Sequence, residues 1–144
     1  MSQDDLRRKV GFDVDDYIRA VKTHVQEAMG HSVKIRIFID HPSSQAMSKF
    51  NGPILEIHMA PRETIRAQKP GLTDEEITAK YKAAIAEEIC HGIHHETSHD
   101  ERVVSCTLRE MKEHMSPGEL GLPYIREKVD RLQQAQMPVV GTPI

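Results

Sequence analysis

The chain has 144 residues, 38% hydrophobic and 4% aromatic with no Trp, so it can bury one modest core made of Ile, Leu, Val, Ala and Met. Charged residues make up 28% and the net charge is −3, which lacks the basic balance of a nucleic-acid-binding domain. No run approaches the roughly 18 apolar residues of a membrane span, and the start MSQDDLRRKV has no apolar stretch of a secretory signal, so a cytoplasmic location is expected.

Residues 3–9 read as a short, charged helical turn. Asp13 is placed to cap a helix running to about Met29, with Val14, Tyr17, Ile18, Val21 and Val25 on one face at helical spacing. Gly30 ends it. In residues 32–39, Val33, Ile35, Ile37 and Ile39 alternate with Lys34 and Arg36, the pattern of a strand. Residues 41–52 carry Pro42, Ser43, Ser44, Asn51 and Gly52 and read as a loop. Residues 53–59 read as a second strand, and Pro61 with Pro70-Gly71 punctuates the way out.

Thr73 with Glu76 fits a capping box at the start of the longest helix, which runs to about His95. A break is expected near Thr97. Ser98 with Glu101 fits a second capping box for a helix to about His114, closed by Ser116-Pro117-Gly118. Pro123 opens a last helix to about Gln136. The tail, 137–144, is expected to be loose or docked on a partner. The order helix, two strands, three helices predicts an α+β domain over 1–136. Cys90 and Cys106 are too few for a disulfide framework. They fall on two different predicted helices and are expected to be reduced and buried.

The unusual count is nine histidines. His91, His94, His95 and His99 fall close together, just after Glu87 and Glu88. Residues i and i+4 share one helix face, which is the spacing of Glu87 and His91. Glu88 points about 100° around from Glu87, where it could take a proton from a metal-bound water. His99 follows the expected break and can fold back as a third ligand. That would leave a fourth position open.

The segment Ala86-Glu87-Glu88-Ile89-Cys90-His91-Gly92-Ile93-His94-His95 resembles the metal helix of the zincin metallopeptidases, the HExxH family. It looks most like the small SprT-like or WLM-like type. The resemblance implies a minimal zincin-like domain: an N-terminal helix, a small sheet, the metal-bearing helix and C-terminal helices. It implies metal ligation by Glu87, His91 and His99, with His95 and His94 as alternates, and Glu88 as the catalytic base. The chain departs from the family at Glu87, where the family has its first His. The added negative charge lowers the Lewis acidity of a bound metal. Zinc is the expected metal, with Mn or Fe behind it.

The resemblance implies a metal-dependent peptidase, with a peptide or protein as substrate. The alternative is a catalytically inactive interaction or structural module, such as a phage or regulatory protein. Each residue also has a plainer reading: Glu87 and Glu88 on a solvated face, and the later histidines near a helix end that favours imidazolium. Glu88-x-x-His91 also matches one element of a di-iron bundle, but no second Glu-x-x-His follows. Glu110 and His114 share only an i, i+4 spacing. His24, His31 and His41 read as surface residues, His114 as a helix C-terminal residue and His58 as a half-buried strand residue. The zincin likeness also implies that the second strand borders the substrate cleft, where Glu56, His58 or the Ala60 backbone would pair with an extended peptide. Tyr124 is the better placed of two candidate oxyanion donors, Tyr81 lying nearly two turns from Glu87. No nucleic-acid or membrane partner is evident, and the oligomeric state is open.

Overall fold

Local signals set most helix ends. In a computed structural model that describes residues 3–30, 33–94 and 101–136, the chain runs α1 (Gln3–Val10), α2 (Val14–Met29), β1 (Lys34–Ile39), β2 (Met47–Asn51), β3 (Ile54–Met59), α3 (Arg62–Gln68), α4 (Asp74–Ile93), α5 (Glu101–His114), α6 (Pro117–Leu120) and α7 (Pro123–Gln136). This is an α+β fold, as expected. Asp13 accepts the Asp16 N–H at the start of α2, and Gly30 closes that helix in the left-handed region at φ 79°, where a side chain would be strained. Thr73 and Glu76 form the reciprocal capping box at the start of α4. The proposed box at Ser98 and the tail 137–144 lie outside the described residues.

The sheet differs from expectation. It has three strands in the order β1-β3-β2, with β1 parallel and β2 antiparallel to β3. The stretch 41–52 is therefore not all loop. Its second half, Met47-Ser48-Lys49-Phe50-Asn51, is an edge strand. It is polar and mostly exposed, so it lacks the alternation of a half-buried strand. The available signal was Asn51-Gly52, a dipeptide that favours tight hairpins, and Gly52 has φ 60°. Helix α3 was also missed, being only about two turns long after Pro61. Ser116 caps α6 through a second reciprocal box with Glu119, so Ser116-Pro117-Gly118 starts a helix as well as ending α5.

Helix α4 is the axis of the fold. Successive residues turn about 100°, and three stripes result. Ile77, Tyr81, Ile85, Ile89 and Ile93 face α1, α2 and the sheet. Ala79, Ala83 and Ala86 face Val104, Leu108, Met111 and Ile125 of α5 and α7. Lys80, Ala84, Glu87 and His91 form the third stripe, against a cleft. A helix apolar on most sides is a buried one. Gly92 lets it seat closely on the sheet, because a Cβ there would overlap the Leu55 side chain. Glu76, buried near the start of α4, accepts N–H groups from Thr73 at 3.2 Å and Tyr124 at 3.0 Å. These bonds hold its carboxyl below the usual range against the opposing effect of burial, and they tie α7 to α4.

The cysteines are corrected. Cys90 of α4 and Cys106 of α5 are disulfide-bonded, with Cα atoms 5.9 Å apart. Lying on different helices does not separate them, because α4 and α5 pack side by side and both residues sit on the shared face. No helix among the described residues is long and apolar enough to cross a membrane. A closed loop of this size should contribute about 3 kcal/mol. Cys106→Ser should lower the urea midpoint accordingly. Wild-type protein under reducing conditions should match the variant, and identical midpoints with and without reductant would show that the bridge does not support the fold.

Candidate metal centre

The third stripe of α4 delivers Glu87 and His91 to the same side, and Glu88 one residue round. One ligand atom from each of the three lies within 4.8 Å of the others. Glu88 and His91 are buried and Glu87 is nearly so, at 15% side-chain exposure. The solvated-face reading of the two acids is thereby excluded. His99 and His95 lie outside the described residues. His94 is the residue that follows α4 and is partly buried.

The group sits in a cleft of about 1090 Å³ bounded by β2, α4 and α7. The Ser48 hydroxyl on β2 donates to Glu88 Oε1 at 2.7 Å. Burial raises the Glu88 carboxyl above its ordinary range, and the Ser48 bond and nearby His91 oppose that rise. Lys128 of α7 places its ammonium 3.3 Å from Glu87 Oε2. Two turns earlier on the same face, Lys80 is buried, and its pKa falls to about 8 because burial and the neighbouring Lys128 and Lys69 disfavour its charge. Its ammonium donates to the Tyr124 hydroxyl at 3.1 Å and lies 5.4 Å from that ring's centre.

Three contributors were therefore missed: Ser48, Lys80 and Lys128. Lys80 could have been found, since it lies seven residues before Glu87 on the same helix face. Ser48 and Lys128 carry no such signal, because separate elements bring them in. Tyr124 lines the cleft as envisaged. Tyr81 does not, its hydroxyl being spent on the Ala60 carbonyl at 2.7 Å.

The strand bordering the cleft is also different. β3 is the central strand, so its backbone is paired on both sides. Extended-peptide pairing at Glu56 or His58 is excluded, and the edge strand on the cleft side is β2. His58 is a structural residue. It stacks on Phe38 at 4.7 Å and reaches Asp40 at 2.9 Å and Glu56 at 3.1 Å. Burial disfavours its charged form, but the two carboxylates outweigh that and raise its pKa.

Comparison of the chain with protein-family models, curated proteins and solved structures returns no match.

The raised Glu88 pKa has a definite sign. The folded chain holds this proton to higher pH than the unfolded chain does. Its contribution to stability is complete below the unfolded value and is lost as pH rises through the folded one. Glu88→Gln should therefore raise the thermal midpoint of chelator-treated protein at pH 7, with the gain vanishing near pH 4. A lower midpoint for the variant at pH 7 would contradict this account.

Proposed function

We propose that the cleft is the active site of a zincin-like, metal-dependent peptidase or of a close descendant of one. The observation that carries the reading is the convergence of Glu87, Glu88 and His91 on the floor of a cleft walled by a sheet edge. Two carboxylates and an imidazole suit zinc. In this reading Glu87 and His91 hold the metal with His99, and His95 or His94 are the alternates. Mn or Fe is the less favoured occupant. A zinc ion supplies Lewis acidity to a water and to the scissile carbonyl.

The chain's own groups do the rest. Ser48 holds Glu88 Oε1, which orients Oε2 to accept a proton and return it to the leaving amine. The burial that raises the Glu88 pKa makes it a better base at neutral pH. β2 is an edge strand bordering the cleft, and Met47 and Phe50 on it are 40% and 41% exposed. Such an edge takes an extended peptide as an added strand, with the apolar side chains covered by the ligand. The partner is accordingly a peptide or protein.

One observation favours the second reading, an inactive zincin-like binding module. Lys128 neutralises Glu87, the position where the likeness to the family already fails. An ammonium beside a ligand carboxylate competes with a cation. The disulfide bears on location. Such bridges persist in oxidising compartments, so the proposed cytoplasmic location requires Cys90 and Cys106 to be thiols there. Counting free thiols in protein from its native source tests this.

Untagged, zinc-loaded protein should cleave unstructured protein substrates. Glu88→Gln should lose at least about a hundredfold in rate while retaining zinc. Equal rates for variant and wild type would remove Glu88 as the base. Zinc retention with no cleavage in wild type would leave the binding-module reading. Lys128→Met should tighten zinc binding at the His91 site about tenfold or more, the scale of 1.4 kcal/mol. Unchanged affinity would place Glu87 outside the metal's ligand set.

A further inference from the structure

On the opposite flank of α5, a fully buried carboxylate is gripped by two imidazoles. Glu110 has a side chain with 0% exposure. Its Oε1 lies 2.8 Å from Nδ1 of His24 on α2, and its Oε2 lies 3.1 Å from Nε2 of His114, one turn along α5. His24 is not the independent surface residue that its position in the sequence implies, and His114, the last residue of α5 as expected, belongs to the same cluster. Their rings stand edge to face, 6.2 Å apart. His114 Nε2 is buried and, despite its closeness to Glu110, makes no hydrogen bond of acceptable geometry.

We propose that His24, Glu110 and His114 form a second divalent-metal site, separate from the cleft, with zinc as the best-matched ion. One ligand atom from each lies within 4.8 Å of the others. Two imidazoles and one carboxylate are a common zinc donor set; ligands at about 2.0–2.2 Å from a tetrahedral ion stand roughly 3.4 Å apart, so His24 Nδ1 and Glu110 Oε1, now 2.8 Å apart, need only open slightly around it. A buried carboxylate is costly unless compensated. A neutral imidazole can donate from only one ring nitrogen, whereas an ion satisfies all three groups at once and makes use of the misaligned His114 Nε2.

The surroundings agree. The site opens on a shallow pocket of about 390 Å³ that Asp16, Glu27 and Glu113 also line. Glu113 Oε2 lies 3.4 Å from His24 Nδ1 and is half exposed, so it can swing in as a fourth ligand. Two cations lie nearby: Arg19, which pairs with Asp16 at 2.9 Å, and Arg109, which lies 3.4 Å from Glu110 Oε1 and would have to yield that oxygen to the ion. The ion would join α2 to α5 and so act as a structural clamp between two helices.

The test uses untagged, full-length protein stripped of metal and titrated with zinc, with bound metal counted after dialysis. Glu110→Gln, which keeps the shape, and His24→Asn, which is partly exposed, should each weaken one site by more than the roughly 10–100-fold that loss of an outer partner costs. Circular dichroism of each variant checks the fold. Zinc should raise the thermal midpoint of wild type and of His91→Ala, but the effect should shrink in His24→Asn. If His91→Ala loses all zinc while Glu110→Gln and His24→Asn keep wild-type stoichiometry and affinity, the second site does not exist. If His91→Ala keeps one equivalent that His24→Asn loses, the second site stands whether or not the cleft binds metal.

Discussion

Helix α4 has to satisfy three environments at once, and the rest of the molecule follows from that. Its isoleucine stripe closes the core under the sheet, and its alanine stripe allows α5 and α7 to approach closely. Only the remaining stripe is left for polar groups. Lys80, Glu87, Glu88 and His91 are thus held in partly dry surroundings by a helix that cannot rotate without breaking two cores. Fixed placement of this kind is what a site needs, since ligand and proton-transfer geometry tolerate little drift. The Leu55–Gly92 contact and the Cys90–Cys106 bridge flank His91 and restrain the end of the helix that carries it.

Burial also explains why the charges of the cleft are interlocked. An unpaired carboxylate at this depth would be costly. Glu87 is compensated by Lys128, and Glu88 is partly compensated by Ser48. Lys80 gives up part of its basicity and leans on Tyr124. The same arrangement both stabilises the metal-free fold and competes with a cation at Glu87. The Lys128 ammonium offsets the charge of Glu87. The Glu110 cluster follows the same rule on the other flank of α5, where two imidazoles and the Arg109 guanidinium surround the carboxylate.

Much of the fold was legible in local chemistry. Asp13, Gly30, Thr73 and Glu76 mark helix ends because caps act within four residues of chain. The alternation of β1 and the face of α2 were readable for the same reason. The edge strand β2 was not, because it is stabilised by pairing with β3 rather than by an apolar face of its own. The expected cleft wall at β3 came from the zincin likeness, whereas the strand that lines the cleft with most of its residues is β2. Of the site, Glu87, Glu88 and His91 could be grouped by helical periodicity alone.

The sequence by itself determined where the helices begin, which face of α4 is polar, and that two carboxylates and an imidazole share it. Those properties depend on neighbours a turn apart. Only the tertiary structure decided that Lys128 sits on Glu87, that Ser48 holds Glu88, that Cys90 meets Cys106, and that His24 and His114 close on one buried carboxylate. Apart from His114 and Glu110, one turn apart on α5, each of these joins residues 16 to 86 positions apart, set by how elements pack against each other, and no local periodicity encodes that distance.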